Sequence, residues 1–119
     1  MSIATYQDMT GPDGYLAHRA NFTGHSMSAE WATRAEGDGY PFLKYHTTGR
    51  LAGDDLERFY DDRQTAYQTG EPLYIVYSYR TPIAWVVGYG KPAYIVSQSF
   101  SVTTSKGQNY VRAWINHNI

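Results

Sequence analysis

Four histidines are the side chains of this chain best suited to metal binding or acid–base catalysis: His18, His25, His46 and His117. They show no H-x-x-x-H spacing and no pairing with carboxylates at a metal-ligand spacing, so a zinc site would need tertiary contacts alone. The chain also contains no cysteine, which excludes disulfides, thiolate metal sites and cysteine nucleophiles. We therefore predict no metal site.

Two short segments have letters that also occur in catalytic or cofactor sites. Ser26 follows His25, but adjacent residues of a strand point to opposite faces, and no nucleophile elbow surrounds them. Residues 88–93 read G-x-G-x-x-A, yet a dinucleotide site needs a helix N-terminus directly after the glycines. Pro92 and the strand expected after it favour a hairpin instead. The sequence thus predicts no catalytic residue and no cofactor.

The composition is that of one folded domain over residues 1–119. Hydrophobic residues make up 42% and charged residues 18%, and no apolar run approaches the roughly 20 residues of a membrane span. Twelve tyrosines and three tryptophans are the unusual feature. Such rings suit a small core and equally suit a contact surface, and composition leaves both possibilities open.

Charge is distributed unevenly along the chain. Residues 1–70 carry six Lys/Arg and ten Asp/Glu, whereas residues 71–119 carry four and one. A mildly basic, tyrosine-rich half could bind single-stranded nucleic acid, because rings stack on bases and cations contact phosphates. Four cations make a small electrostatic footprint, however, and the acidic half opposes approach to a polyanion. The candidate contact residues are Tyr74, Arg80, Tyr89, Lys91, Tyr94, Lys106 and Arg112.

The elements that must position these side chains centre on residues 73–102. Branched and aromatic residues fill 73–79, which predicts a strand. The residues expected on its core face are Leu73, Ile75, Tyr77 and Tyr79. Thr81 and Pro82 predict a turn or bulge, because proline has no N–H for the ladder.

A second and a third strand are predicted after this turn. Ile83, Trp85 and Val87 alternate on the second strand, and two glycines within residues 88–91 predict a hairpin turn. Residues 93–102 form the third strand, whose polar character suggests a sheet edge. We also expect strands at 22–33 and 40–46, which would form an N-terminal hairpin, and a loosely packed arm at 1–22 with one helical turn around residues 15–20.

Two helices complete the predicted fold. Residues 54–69 have an apolar stripe, a capping box from Asp54 to Glu57, and a stop at Gly70, while Asp61 and Asp62 are expected to point outward. A second helix over residues 106–117 would start from a capping box of Ser105 and Gln108. The sequence therefore predicts an α+β fold: an antiparallel meander of three C-terminal strands, which the N-terminal hairpin could extend, packed with two helices.

Residues 74–85, YIVYSYRTPIAW, and residues 100–108, FSVTTSKGQ, resemble a family of small, functionally uncharacterised proteins encoded by bacteriophages and plasmids. In that family a VYSYxTPIAW strand pair precedes a YSVTTSKHQ segment. The resemblance covers residues 73–108 and implies a phage or plasmid origin, but no activity. Gly107 stands where the family usually has histidine, so no role of that imidazole carries over. Helix initiation alone would explain the residues T-T-S-K-G-Q. The alternative is that they bind a ligand.

Two classes of function follow from these observations, with an enzyme as a distant third. The first is a small non-enzymatic accessory protein in the bacterial cytoplasm that binds a host protein or its own copy, which includes a homodimer. Tyr, Trp and Arg are the residue types enriched at such contacts. The second is a nucleic-acid-binding regulator that uses the four cations of the C-terminal half. We expect no membrane association.

Overall fold

The computed structural model describes residues 3–32 and 48–119 and has the α+β fold that the sequence predicts. Its elements are α1 (Tyr6–Met9), β1 (Phe22–Thr23), β2 (Met27–Ala32), α2 (Gly53–Thr69), β3 (Leu73–Ser78), β4 (Thr81–Val87), β5 (Tyr94–Ile95) and α3 (Val102–Trp114). The strands in these ranges form one antiparallel sheet in chain order, with β1 and β5 at its edges. No helix of the described ranges is long and apolar enough to cross a membrane.

The central hairpin joins β3 and β4 through a tight turn at Tyr79 and Arg80. Val76 pairs with Ala84, but the next residue, Tyr77, pairs with Pro82. Ile83 is therefore an extra residue of β4 and forms a β-bulge. The predicted turn or bulge near Pro82 is thus confirmed. The predicted alternation of Ile83 with Trp85 is wrong, because a bulge turns one side chain to the other face.

Both faces of the sheet are covered, since all six residues of β3 are buried. Leu73, Ile75 and Tyr77 pack with α2, whereas Tyr74 and Val76 pack with α3 and the N-terminal segment. The predicted core face is therefore one of two buried faces of β3. Tyr79, which the sequence places on that face, lies instead in the exposed turn.

The N-terminal segment is packed, and the prediction of a loose arm is wrong for its described part, residues 3–22. The side chain of Thr5 and the carboxylate of Asp8 form a capping box that starts α1. Leu16 is fully buried, and Ala4 forms a parallel bridge with Gly24 beside β1. Isolated apolar residues without periodicity anchor this segment, so no pattern marks it as ordered.

Residues 22–32, which the sequence predicts as part of one strand, contain a hairpin of two strands. β1 and β2 pair within residues 22–32, and β2 then pairs along its whole length with β3, so the hairpin extends the main sheet. The second strand predicted at residues 40–46 lies outside the described residues.

Helix α2 agrees with its predicted span, but it begins differently. Ala52 is the N-cap and makes no side-chain cap, so the predicted cap by Asp54 is wrong. Gly70 ends the helix with a φ of 76°, a left-handed conformation that favours glycine.

Strand β5 is shorter and α3 begins earlier than predicted. The hydroxyl of Ser101 accepts a hydrogen bond from the Thr104 N–H at 3.2 Å and caps α3, where the sequence favoured Ser105. The side-chain amide of Gln108 donates to the carbonyl oxygens of Val96 and Gln98, each at 2.9 Å. The backbone after β5 is therefore held from two sides, by the Gln108 side chain and by a hydrogen bond from the Val96 N–H to the Ile83 carbonyl oxygen of β4 at 2.9 Å.

Candidate functional site

The three tyrosines predicted as contact residues have different surroundings. Tyr74 is fully buried, and its phenol donates to the Ala20 carbonyl oxygen at 2.8 Å, so its assignment to a contact surface is wrong. Tyr94 is half-buried, and its phenol donates to the Asp55 carboxylate. Tyr89 is 72% exposed in the loop between β4 and β5. It is the member of this trio that a partner could reach most fully.

The four predicted contact cations are spread over the fold. Arg80 lies in the turn before β4 and Lys91 in the loop after it, which places them roughly 20 Å apart along a seven-residue strand. The Lys91 ammonium lies 3.5 Å from the Glu71 carboxylate. Lys106 and Arg112 are exposed on α3. The structure thus does not bring the four cations together.

Trp31 at the end of β2 connects two of the predicted residues. Its ring centroid lies 4.9 Å from that of Tyr74 and 4.7 Å from that of Tyr89. Its indole N–H donates to the Arg19 carbonyl oxygen at 2.6 Å, and its backbone N–H donates to the Asn21 side chain at 2.7 Å. The indole is therefore held in place, with Tyr74 beneath it in the core and Tyr89 beside it at the surface.

Two pockets have Trp31 in their walls. The first has a volume of about 450 Å³ and is lined by Ile3, Tyr15 and Phe22 among others. The second has a volume of about 290 Å³ and lies between Arg19, Tyr89 and the C-terminal residues. We call these two pockets together the Trp31 groove.

Apolar side chains border the Trp31 groove while remaining open to solvent. Tyr15 stacks on Phe22 with ring centroids 5.7 Å apart in the first pocket, and Tyr89 packs on Trp31 in the second. Burying such amphipathic rings against a ligand is favourable, because each ring supplies a large apolar area and few rotatable bonds. The groove can therefore bind an apolar side chain in either pocket.

Arg19 is one of three polar residues that line the second pocket, together with His18 and Asn118. It is 8% exposed, its Nε donates to the Ile115 carbonyl oxygen at 3.1 Å, and its Nη2 donates to the Asn116 side chain at 2.9 Å. Burial lowers the pKa of Arg19 and raises that of the neighbouring Tyr74, because a low-dielectric environment disfavours the charged form of each. The guanidinium caps the C-terminal end of α3.

A second cluster of polar and aromatic groups joins α2 to the sheet. Asp62 accepts hydrogen bonds from the Trp85 indole N–H at 2.9 Å and from Arg58 at 2.8 Å. The expectation that Asp62 points outward is therefore wrong, and Asp55, bonded to Tyr94, is buried. The donors and acceptors of this cluster bond to one another, which favours a structural role.

The two segments that carry the family resemblance meet at the start of α3. The hydroxyls of Ser78 and Thr104 lie 2.9 Å apart, and Thr104 also bonds to Ser101. Gly107 packs so closely on β2 that an added Cβ would lie 3.0 Å from the Met27 sulfur. These contacts support helix initiation and helix–sheet packing as the role of the T-T-S-K-G-Q residues.

The described histidines do not converge. His18 borders the second pocket, His25 lies in the turn before β2, and His117 packs on Trp114 near the chain end. His46 lies outside the described residues. Within residues 3–32 and 48–119, no three His, Asp or Glu side chains are grouped so that they could hold a metal ion.

Reasoning from the sequence missed Arg19 and Trp31 as site residues. Trp31 stood out only as an aromatic residue on a weakly alternating strand, and Arg19 lies in a segment without periodicity. Their neighbours Tyr89 and Ile115 are far away in the chain, so only the fold brings them together. The one available signal was the tryptophan itself, a residue type enriched at contact sites.

A family model matches residues 15–118, and its description is a family of unknown function, DUF8033. No curated protein and no solved structure matches the chain. The matched range contains most of the Trp31 groove, the whole sheet, α2 and α3. The chain therefore belongs to DUF8033, a family of unknown function.

Proposed function

We propose that this chain is a small non-enzymatic accessory protein of phage or plasmid origin, cytoplasmic in its host, that binds a partner protein through the Trp31 groove. One observation carries the proposal. Four apolar side chains that are between 39% and 72% exposed border these two pockets: Ile3, Tyr15, Tyr89 and Ile119. Exposed apolar residues scattered singly need no explanation, whereas a contiguous set marks a contact site.

The shape of the groove favours one occupant, an extended segment of a different protein. Two pockets of about 450 and 290 Å³ on a shared tryptophan can each take one or two side chains of such a segment. A stable homodimer would need roughly 800 Å² of matching surface on each copy, which narrow pockets do not provide.

The polar groups of the first pocket are better suited to binding a ligand than to transferring a proton. The Asp8 carboxylate accepts hydrogen bonds from the Thr5 N–H at 2.8 Å and the Thr5 hydroxyl at 3.0 Å. The Asn21 side chain is bonded to the Trp31 backbone. These groups hold the pocket walls in place, which preorganises the groove for a ligand.

A nucleic-acid-binding function finds less support. The four cations that such a function would use lie at separate places, and Lys91 is paired with Glu71. Aromatic residues of the groove could stack on bases, but acidic Asp8 lines the same groove. Salt-dependent binding of short single- or double-stranded probes, retained after Tyr89→Ala, would replace the protein-binding proposal with this one.

The test is selection of a displayed random peptide library on the full chain, followed by fluorescence anisotropy with the selected peptides. We expect the peptides to share apolar residues and Tyr89→Ala to weaken their binding by at least about tenfold. Tyr60→Ala is the matched control, because Tyr60 is 43% exposed on α2, an element that does not line the groove. Equal binding to wild type and Tyr89→Ala, or loss of binding in Tyr60→Ala alone, would contradict the proposal. A dimer that Tyr89→Ala dissociates would make a second copy the occupant.

A further inference from the structure

The first pocket of the Trp31 groove combines aromatic walls with negative charge. Its aromatic lining residues are Tyr15, Phe22 and Trp31, and the charged residues that line it within the described ranges are both acidic, Asp8 and Glu30. A cation is attracted to the face of an aromatic ring and also to a carboxylate, so both kinds of group favour the same ligand. The composition of this pocket therefore indicates a ligand with a positive charge.

The carboxylate of Asp8 lies where a ligand in this pocket can reach it. Its Oδ2 accepts hydrogen bonds from the backbone N–H and the hydroxyl of Thr5, which places the carboxylate at the start of α1, next to the lining residues Ile3 and Ala4. Asp8 is exposed, and its Oδ1 makes no hydrogen bond to the described residues. No Lys, Arg or His in that part of the chain lies within ion-pair distance of it. The capping box thus leaves one oxygen and the charge of Asp8 available to a ligand.

Backbone hydrogen bonds hold Asp8 beside the aromatic wall. The Tyr15 N–H donates to the Asp8 carbonyl oxygen at 2.9 Å, and the Ala4 N–H donates to the Thr23 carbonyl oxygen at 2.7 Å. The second of these bonds ties the start of α1 to β1. Tyr15 is 39% exposed while it stacks on Phe22, so its ring is both fixed and open to a ligand.

We propose that the first pocket binds the cationic end of a lysine or arginine side chain on the partner segment, between the Asp8 carboxylate and the ring of Tyr15. This subsite rests on the proposed function. The other acidic residue of the pocket, Glu30, accepts a hydrogen bond from the Tyr77 phenol at 3.4 Å, so Asp8 is the acid assigned to the ligand. Trp31 joins the first pocket to the second, which leaves the second pocket for an apolar side chain of the same segment.

The first test changes the ligand and leaves the protein intact, so that folding of a variant is not in question. Peptides selected on the full chain are made with an acetylated N-terminus, and each lysine or arginine is replaced in turn by glutamine, which is neutral. We expect one such change to weaken binding by at least about tenfold in fluorescence anisotropy, because the charge-assisted hydrogen bond and the cation–ring contact are both lost. Peptides that require Tyr89 but no cationic residue would overturn the subsite while the proposed function stands.

The second test uses small probes and reports on the subsite without a peptide. Butylammonium and butan-1-ol share the four-carbon chain of a lysine side chain and differ in charge, and both are titrated into the full chain while the Trp31 indole N–H signal is followed by NMR. We expect at least about tenfold tighter binding of butylammonium. Equal binding of the two probes would overturn the subsite. Preference for butylammonium together with a library that yields no peptides would instead remove the proposed function and keep the cation site.

Asp8→Asn tests the assignment of the carboxylate. The amide oxygen can still accept the bond from the Thr5 N–H, so this variant keeps the cap and removes the charge. We expect the preference for butylammonium to disappear in Asp8→Asn while butan-1-ol binds as it does to wild type. Asp13→Asn is the matched control, because Asp13 is an exposed acidic residue that does not line the first pocket, and the preference should survive there. A preference retained in Asp8→Asn, or lost equally in both variants, would overturn the role of Asp8.

Discussion

The phenol of Tyr94 donates a 2.5 Å hydrogen bond to the buried carboxylate of Asp55, which ties β5 to the first turn of α2. The Arg58 guanidinium lies over the same ring, 4.7 Å from its centroid, and Asp62 accepts the Trp85 indole N–H. The helix is therefore joined to the sheet through polar bonds as well as through the buried ring of Phe59.

This bond makes stability depend on pH in the alkaline range. The hydrogen bond to Asp55, followed by burial, raises the pKa of Tyr94 to about 12 from the ordinary value of 10.0. The folded state thus holds the phenol proton more tightly than the unfolded chain does, so the stabilisation is complete below pH 10 and is lost as the pH rises through 12. We expect the free energy of unfolding of wild type to fall more steeply over this interval than that of Tyr94→Phe, measured by urea denaturation at a series of pH values.

Tyr60→Phe is the control for this experiment, because the phenol of Tyr60 is exposed on α2, the helix that carries Asp55. At pH 7 we expect Tyr94→Phe to lower the free energy of unfolding by about 1–3 kcal/mol, since Asp55 loses a hydrogen-bond donor in a buried place. If the free energies of unfolding of wild type and Tyr94→Phe fell in parallel from pH 10 to 12, the hydrogen bond to Asp55 would not be the source of the raised pKa of Tyr94.

The same contact shows where the sequence is informative and where it is not. The stripe of α2 and its stop at Gly70 are local patterns, and so are the strands β3 and β4, so all were predictable. The partners of Asp55 and Asp62 were not, because an acidic residue on a helix looks equally like solvated charge. Their phenol and indole partners lie on strands 39 and 23 residues away, respectively, and only the fold selects them.

The candidate site follows the same rule. Tyr89 was identified as one ring of the tyrosine-rich C-terminal half, and it is exposed because it lies in the loop after β4. Arg19 was not, since its role depends on the C-terminal end of α3, 96 residues away.

The start of α3 shows that helix start signals also compete. Ser101 and Ser105 both precede helix-forming residues, and Ser101 prevails because Gln108 is then placed to bond the backbone at Val96.

The two bonds from Gln108 give a second prediction. Gln108→Ala removes both donors and leaves the carbonyls of Val96 and Gln98 without their partner, so we expect the free energy of unfolding to fall by about 2–3 kcal/mol. Gln64→Ala is the matched control, because Gln64 is an exposed glutamine on α2, and we expect a change below about 0.5 kcal/mol. Urea denaturation measures both. Similar small losses in the two variants would mean that water replaces the side-chain amide.

Gly107 gives a third prediction, about close packing. Gly107→Ala should raise the free energy of unfolding by about 0.5–1 kcal/mol, because alanine favours the helix and the flexible Met27 side chain can yield at a Cβ distance of 3.0 Å. Gly107→His should lower it by about 1–3 kcal/mol, because the ring would overpack the contact with Met27 and Ile83.

A double-variant cycle tests the cause of that loss. Met27→Ala makes room beside position 107, so we expect Gly107→His to cost less in the Met27→Ala background than in wild type, by at least about 0.5 kcal/mol. Thermal unfolding of the four proteins measures the coupling. Strict additivity would show that the histidine is accommodated without touching Met27.

Tyr79 gives the last prediction, since it adopts a φ of 55° in the turn between β3 and β4 while its ring is 61% exposed. A left-handed backbone costs a residue with a Cβ about 1 kcal/mol, and little buried area is lost with this ring. We therefore expect Tyr79→Gly to raise the free energy of unfolding by up to about 1 kcal/mol and Tyr79→Val to lower it, because a branched Cβ tolerates this conformation least.

Arg80→Gly is the control for the Tyr79 variants, because the φ of Arg80 is not positive, and this change should be destabilising. A loss of stability in Tyr79→Gly equal to that in Arg80→Gly would show that the ring contributes more to the hairpin than the backbone strain costs. Peptide binding should be unchanged in Tyr79→Gly, since this turn does not line the Trp31 groove.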